Sequence, residues 1–244
     1  MLEEIRKEIA PTGVLRAGIN LSNFLLVTGK TPDGQPEGVS PSMAAEVARR
    51  LDLDIEYVLF KTPGELADAA PENVWDIGLI GAEPARAQHI AFTAAYSEIE
   101  ATYLVPQGSP IQSIDEVDRP GIRIAVPARA AFELWLTDNI QHAQLHRATG
   151  RQAFDDFVDQ GMDALAGLRA GLVGDLAKLP GSRMLDGKFT AVQQAIGTPK
   201  GRQQTAAFLS EFVEDAKATG LIAGFIEKFG VEGRLTVAPS ATSA

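Results

Sequence analysis

Arg86 is the residue whose type and position predict the most definite chemistry. It lies in Trp75–Tyr96, WDIGLIGAEPARAQHIAFTAAY, where a buried strand over residues 76–80 is predicted before a turn at Gly81 and one short helix that carries Arg86. Open α/β sheets bind ligands outside the carboxyl ends of their strands, which is where this arginine falls. Its guanidinium is a rigid fork that matches a carboxylate. The segment therefore predicts a carboxylate-binding site, and the alternative is a solvated surface arginine.

Glu83 lies three residues before Arg86. If it faced the site, its carboxylate could pair with the arginine or accept a hydrogen bond from a ligand. A carboxylate at the start of a short helix also stabilises the positive end of the helix dipole. The sequence favours this second role.

The composition limits the chemistry that the chain can perform. Its 244 residues carry a formal net charge of -10, which argues against a nucleic-acid partner because such partners require a basic face. An anion-binding site must then be local and built from a few arginines. The chain has no cysteine, which excludes disulfides, thiol nucleophiles and cysteine-bound zinc.

Histidines and serines give no stronger catalytic signal. His142 and His146 have the spacing of a helical zinc site, but residues 144–148 are predicted to form a strand, which would not place both on one helical face. No serine or threonine lies in a nucleophile-elbow context. We expect no metal, no cofactor and no catalytic residue.

Strands and helices alternate along the chain, which predicts an α/β fold. The predicted strands cover residues 14–20, 24–28, 54–60, 76–80, 100–105, 122–126, 144–148, 164–167 and 189–196. The predicted helices cover residues 40–51, 62–70, 130–138, 152–160, 171–179, 203–219 and 221–229. Ser40 is expected to cap the first of these helices, with Pro41 at its first turn. Capping boxes are predicted at Thr62 and Ser113.

The middle of the chain repeats the strand–helix order of its first part, which predicts an inserted second lobe. The expected parts are lobe 1 at 1–98 and 193–232, lobe 2 at 103–189, hinge strands at 99–102 and 189–193, and a tail at 233–244. The small-residue segment VAPSATSA at 237–244 is expected to be disordered. No apolar run approaches 18 residues, so no transmembrane helix is expected. The N-terminus has no apolar signal core, so the protein is cytoplasmic or an export signal has been removed.

Six segments, taken in order, resemble one known family. They are GVLRAGIN at 13–20, GVSPSMAAEVARRLDLDIEYV at 38–58, IGAEPARAQHIAFTAAY at 80–96, QGSPIQSIDEV at 107–117, MDALAGLRAG at 162–171 and QQAIGTPKGR at 193–202. The chain thereby resembles the family-3 extracellular solute-binding proteins, which serve ABC importers of polar amino acids. The resemblance implies the two-lobed type II periplasmic-binding-protein fold with a two-strand hinge. It also implies a periplasmic monomer that closes on a small solute and is then recognised by an ABC permease in the membrane.

The resemblance assigns Arg86 to the ligand carboxylate and places an aromatic residue after the first strand, against the ligand. Asn20, Asn23 and Phe24 follow that strand here. The alternative is that Phe24 belongs to the core and Asn23 to a turn.

The chain departs from the family where a ligand ammonium would be held. The family's second-lobe aspartate aligns with Leu168, which cannot accept a hydrogen bond. An ammonium buried without a partner costs several kcal/mol. Asp175 falls inside the next predicted helix and is a poor substitute. A standard α-amino acid held in the standard way is therefore not expected.

A second departure lies at residues 127–131. The family has a Gly-Ser-Thr type turn there, whose amides and hydroxyls bind the ligand carboxylate at a helix N-terminus. Here alanines, Ala130 and Ala131, stand in place of the hydroxyl residues, and Arg129 precedes them. Arg129 could supply a second cationic contact, and Arg169, next to Leu168, a third. For each the alternative is a solvated surface arginine.

The sequence thus predicts a protein that binds a small anionic solute, amino-acid-like or an organic acid, and that is not an enzyme. Two alternatives remain open. One is an enzyme like the cyclohexadienyl dehydratases that act on prephenate or arogenate, in which Glu83 would be the acid. The other is a ligand sensor without a role in transport.

Overall fold

A computed structural model describes residues 2–241 of the chain. Its helices are α1 Leu2–Ile9, α2 Val39–Arg50, α3 Pro63–Asp68, α4 Ala131–Asn139, α5 Gln152–Asp159, α6 Arg169–Leu176, α7 Gln203–Ala218 and α8 Leu221–Lys228. Its strands are β1 Val14–Asn20, β2 Gly29–Lys30, β3 Pro36–Glu37, β4 Asp54–Phe60, β5 Ile77–Gly81, β6 Ile90–Phe92, β7 Ser97–Val105, β8 Arg123–Pro127, β9 Gln144–Ala148, β10 Ala164–Leu168, β11 Arg183–Met184, β12 Thr190–Pro199 and β13 Thr236–Val237. Arg86–Gln88 and Ile114–Glu116 are 3₁₀ turns. The α/β class predicted from the sequence is confirmed.

The chain forms two compact units. The first comprises the chain up to Glu98 and again from Gln193 onward, and the second comprises Ile99–Val192. The chain therefore passes between the units twice, within β7 and within β12.

In the first unit β1 lies between β4 and β5, and both pairings are parallel. Residues 194–197 of β12 pair antiparallel with β5, and β6 pairs with the end of β12. Strand β5 is buried at all five positions, which explains its uninterrupted apolar sequence. Trp75, just before it, is fully buried and donates its indole N–H to the Leu66 carbonyl at 2.9 Å. Strand β5 is thus anchored in the packed core of its own unit, which contains Trp75, Leu66 and Ile80.

In the second unit β8 lies between β9 and β10 in parallel register, and β10 pairs antiparallel with β7. Helix α4 packs its buried Phe132 and Leu136 into a core that also contains Tyr103 and Val126. The Tyr103 and Phe189 rings are 4.5 Å apart between centroids in the same core. This packing fixes the start of α4 against the carboxyl end of β8.

Helix α2 begins differently from the prediction. Its N-cap is Gly38, and Ser40 makes no capping hydrogen bond. The Ser40 hydroxyl instead lies 2.9 Å from the hydroxyl of Tyr96, and both side chains are buried. The predicted Ser40 cap is therefore wrong, because a partner 56 residues away takes up the hydroxyl.

Of three other local predictions, one is confirmed and two are wrong. Residues 24–28 form turns and not a strand, because the Asn23 carbonyl accepts hydrogen bonds from the N–H groups of Leu26 and Val27. The Thr62 cap is confirmed, since its hydroxyl accepts the Glu65 N–H at 3.2 Å. Ser113 makes no capping hydrogen bond.

The C-terminal segment is ordered as far as Ala241, contrary to the expected disorder. Strand β13 pairs antiparallel with Ser97 and Glu98. Beyond it, the Ser240 hydroxyl and the Ala241 N–H donate to the Glu214 carboxylate at 2.7 and 3.3 Å. The rest of the predicted tail, residues 242–244, lies outside the described residues. No helix among residues 2–241 combines the length and apolarity that crossing a membrane would need.

Candidate functional site

Arg86 begins the 3₁₀ turn that follows β5, at the position predicted from the sequence. Its side chain donates from Nη1 to the carbonyl of Gly81, the last residue of β5, at 2.9 Å. Arg86 has 6% relative exposure, whereas arginines are rarely buried without partners. This geometry rules out the solvated-surface alternative and fixes the guanidinium at the carboxyl end of a central strand.

Glu83 is also buried, with 9% relative exposure. Its backbone carbonyl accepts the N–H groups of Arg86 and Ala87 at 2.9 and 3.0 Å. Glu83 therefore shapes the turn that carries Arg86 through its main chain. Its role as a ligand contact remains a prediction.

Asn20, the last residue of β1, and Asn23 and Phe24, which follow it, behave differently from one another. Asn20 accepts the Ser22 N–H and hydroxyl on its side-chain oxygen, at 3.1 and 2.8 Å. Asn23 is buried and accepts the Leu25 N–H at 3.2 Å, which makes it a turn residue. Phe24 is 45% exposed, so the alternative that it belongs to the core is wrong. An exposed aromatic ring four residues after the end of β1 fits the predicted apolar wall for a ligand.

In the second unit, the turn before α4 holds Arg129 in an unusual conformation. Arg129 is exposed and its φ is 62°, in the left-handed region. Its backbone N–H donates to Oε2 of Glu133 at 2.9 Å. Ala130 is the N-cap of α4 and contributes no side-chain hydrogen bond.

Glu133 is the group near this turn that the sequence reasoning missed. It is 3% exposed and accepts Nε of Arg147 and the Thr137 hydroxyl at 2.7 and 2.8 Å. Burial by itself would raise the pKa of the Glu133 carboxyl, but the hydrogen bonds from Arg147, Thr137 and the Arg129 N–H outweigh it, so the pKa is lowered. An available signal was a glutamate three residues after the N-cap position Ala130, which is the spacing of a capping box.

Leu168 and Arg169 lie where β10 meets α6. Leu168 is the last residue of β10 and packs, partly buried, against the core of the second unit. Arg169 donates from Nε to Glu100 at 3.0 Å and also donates to the Gly187 carbonyl. Asp175 lies in α6, as predicted, and pairs with Lys178 at 3.5 Å. The guanidinium of Arg169 is thus already paired with Glu100. Its role as a ligand contact remains a prediction.

The histidines do not form a metal site in the described residues. His146 lies in β9, as predicted, with Nε2 at 2.7 Å from Asp156. Residues 2–241 contain no group of three or more His, Cys, Asp and Glu side chains that could hold a metal ion.

Several solved structures are similar to this chain along almost its entire length. The ancestral amino acid-binding protein AncCDT-1, a precursor of cyclohexadienyl dehydratase, has 22% identity and a TM-score of 0.70, covering 93% of this chain and 98% of its own. A putative binding component of an ABC transporter from Wolinella succinogenes, complexed with lysine, has 18% identity and a TM-score of 0.73, covering 91% and 97%. The solute receptor for L-cysteine of Neisseria gonorrhoeae has 18% identity and a TM-score of 0.74, covering 97% and 99%. At these identities they establish the fold, which is the two-lobed type II periplasmic-binding-protein fold.

The sequence itself matches one family along most of its length. The profile of the bacterial extracellular solute-binding proteins, family 3, matches residues 18–232. No curated protein gave a significant match. The chain therefore belongs to the family-3 bacterial extracellular solute-binding proteins.

Proposed function

We propose that this protein is the solute-binding component of an ABC-type importer and that it binds a small carboxylate-bearing solute. The observation that carries the proposal is the buried guanidinium of Arg86 at the carboxyl end of β5. A guanidinium held in one place by a main-chain hydrogen bond is already oriented when a carboxylate arrives, so little conformational entropy is lost on binding. Phe24, exposed beside β1, would supply apolar contact for the rest of the solute.

By analogy with the family, both units would contribute contacts to the solute, and its binding would favour a closed state. The crossing segments 99–102 and 189–193 would act as the hinge. A solute shifts such an equilibrium only if it binds the closed state more tightly, which requires contacts from both units. Arg129 is the contact that we propose from the second unit.

The residue at position 168 supports an organic acid or an atypical amino-acid derivative over a common α-amino acid. Leu168 has no acceptor for an ammonium group and packs against the core. Arg169, the next residue, brings positive charge to the same place, and Glu100 is paired with it. Two arginines, Arg86 and Arg129, would suit a solute with two anionic groups or one bulky carboxylate.

The proposed compartment, oligomeric state and transport partner follow from the family. The protein would be a periplasmic monomer whose closed, loaded form is read by an ABC permease in the membrane. No metal or cofactor would take part in binding.

A thermal-shift panel tests the proposal. The probes would be L-arginine, L-lysine, L-cysteine, L-glutamate, succinate, citrate and phenylpyruvate. At a probe concentration about 100-fold above its Kd, binding adds about 2.7 kcal/mol to the free energy of unfolding, which raises the Tm by roughly 5–10 °C for a chain of this size. We expect the largest shifts with the acids that lack an α-ammonium group. Larger shifts with ordinary α-amino acids would contradict the role assigned to Leu168.

A pair of lysine substitutions tests the site itself. Arg86→Lys keeps the charge but removes the planar fork, so the affinity for the best probe should fall about 10- to 100-fold. Arg49→Lys is the matched control, because Arg49 is exposed and pairs with Glu46 on α2. Equal affinities in both variants would remove Arg86 from the site. The absence of binding by every probe would reject the proposed solute class.

A dehydratase of the cyclohexadienyl type is the second candidate. Glu83 is a buried acid three residues before Arg86, and one similar structure is named as a precursor of that enzyme. This candidate requires consumption of prephenate or arogenate by the purified protein and loss of that activity in Glu83→Gln. Binding of either compound without turnover would support the transport function instead.

A further inference from the structure

The backbone at Arg129 needs an external constraint to keep its conformation. Non-glycine residues with positive φ within residues 2–241 are Asp52, Asn73 and Arg129. Aspartate and asparagine are the types enriched in that region, whereas arginine has no such preference. A left-handed conformation costs an ordinary residue roughly 1–2 kcal/mol. Such conformations persist where the surroundings hold them, and they cluster at functional sites.

The carboxylate of Glu133 supplies that constraint. Its Oε2 accepts the Arg129 N–H at 2.9 Å, and the residue is 3% exposed. The N–H groups on either side of Arg129 also have acceptors. Ala128 donates to the Ala148 carbonyl at 2.8 Å, and Ala130 to the Pro127 carbonyl at 3.4 Å. The Ala128 and Arg129 N–H groups therefore already have acceptors that a solute carboxylate would have to displace.

The other oxygen of Glu133 is fixed from a neighbouring strand. Oε1 accepts Nε of Arg147 at 2.7 Å and the Thr137 hydroxyl at 2.8 Å, and Arg147 also donates to that hydroxyl at 2.8 Å. Arg147 lies on β9, opposite Val126 of β8. The carboxylate thus ties the turn before α4 to the adjacent strand, and neither oxygen is left to rotate freely.

We propose that Glu133 is a positioning residue that sets how the second unit receives a solute anion. It occupies the Arg129 main-chain donor with the protein's own carboxylate and holds the turn in the one conformation from which the Arg129 side chain meets the solute. The solute anion is then bound by a guanidinium and not by the N–H groups of Ala128 and Arg129. This inference rests on the proposed function, since it takes Arg129 as a solute contact.

A double-mutant cycle between Glu133 and Arg129 tests the inference. Glu133→Gln keeps the shape but puts an amide N–H₂ among donors from Arg129, Thr137 and Arg147. Arg129→Gly removes the side chain and lets the backbone keep its positive φ without strain. Affinities would be measured by titration calorimetry with succinate, or with whichever panel probe gives the largest thermal shift.

We expect Glu133→Gln to weaken probe binding about tenfold in the protein that retains Arg129, as the loss of a well-oriented charge-assisted contact predicts. In the R129G background the same substitution should change the affinity by less than about twofold, because no side chain is left to position. An equal fall in both backgrounds would show that Glu133 acts only on the fold, and this would overturn the inference. If R129G alone leaves affinity unchanged, Arg129 is not a solute contact, and that part of the proposed function fails as well. If R129G weakens binding but E133Q does not, only the positioning role is lost.

Two further measurements test the inference if the Glu133→Gln variant does not fold or if no probe binds. Arg147→Gln removes one donor from the exposed side of the network and should show the same pattern at a smaller magnitude. Without any solute, amide hydrogen exchange at Arg129 should be slow in the unaltered protein and at least about tenfold faster in E133Q. Unchanged exchange in a folded E133Q variant would overturn the constraint itself.

Discussion

Arg16 binds the carboxylate of Asp76 through three hydrogen bonds, from its backbone N–H and Nε at 3.0 Å each and from Nη2 at 2.8 Å. Arg202 adds a fourth from Nη1 at 3.0 Å. The Asp76 side chain is fully buried. One carboxylate thus joins β1, the start of β5 and the residue that precedes α7, and so supports the strand that ends at the Arg86 site.

Asp76→Asn should therefore be strongly destabilising. The substitution removes the charge that neutralises two largely buried guanidinium groups, and breaking such a pair costs about 3–5 kcal/mol. Urea unfolding at pH 7 would measure the change in the free energy of unfolding. Asp52→Asn is the matched control, since the Asp52 side chain is 91% exposed and lies 3.7 Å from Arg6, and it should leave the unfolding midpoint unchanged. Similar midpoints for the two variants would contradict the structural role of Asp76.

Arg129→Gly and Arg129→Ala should differ in stability although both remove the same side chain. Alanine retains the penalty of the left-handed φ of 62° and glycine does not. We expect the glycine variant to be the more stable by about 1 kcal/mol, which is a Tm difference of roughly 2–4 °C. Differential scanning calorimetry of the solute-free proteins measures it. A more stable alanine variant would mean that Arg129 does not hold this conformation in solution.

The stabilisation that Glu133 supplies should disappear in acid. The pKa of its carboxyl is lowered in the folded protein, with burial opposed and outweighed by hydrogen bonds from Arg147, Thr137 and the Arg129 N–H. A lowered pKa means that the contribution is fully present above the usual value of about 4.3 and is lost as the pH falls through the lower, folded value. The Tm difference between the unaltered protein and Glu133→Gln should be constant from pH 7 to about pH 5 and should shrink below about pH 4.3. A difference that does not change with pH would show that the charge of Glu133 is not what stabilises the turn.

Gly38 and Gly224 should respond to alanine in opposite directions. Gly38 caps α2 with a φ of 148°, and a Cβ there would lie 2.3 Å from the Leu26 carbonyl oxygen. Gly224 lies within α8, and a Cβ built on it meets no atom within 4 Å. Gly38→Ala should lower the Tm or prevent folding, whereas Gly224→Ala should stabilise the protein by about 0.5–1 kcal/mol, because alanine is the better helix former. Thermal unfolding of both variants would decide this, and a tolerated Gly38→Ala would mean that the entry to α2 is not as tight as described.

Local sequence patterns predicted most of the fold. Strands β1, β4 and β9 have the predicted bounds, and α7 begins at its predicted residue. Their apolar spacing and turn residues act over a few neighbouring positions, so the sequence alone reveals them. Two of the wrong predictions, those for Ser40 and for residues 24–28, concern hydrogen-bonding groups that have more than one possible partner.

Local sequence patterns predicted only part of the candidate site. The position of Arg86 after a buried strand follows from local order, and so does the absence of an acceptor at Leu168. The roles of Arg86, Glu83, Arg129 and Arg169 as solute contacts remain predictions. The sequence did not point to Glu133, because its significance depends on Arg147, which is brought beside it by the pairing of β8 with β9.

By itself the sequence determined the α/β class, the family and the position of Arg86, the arginine that we propose as a carboxylate contact, because these follow from periodicity and from the order of motifs along the chain. Only the tertiary structure decided which polar side chains meet. Asp76 and Arg202 are 126 residues apart, and Ser40 and Tyr96 are 56 apart. A buried polar group must find a partner or incur the cost of its desolvation, and the chain offers many candidates for each one. Folding selects among them through the geometry of the packed strands, which short-range sequence spacing does not contain.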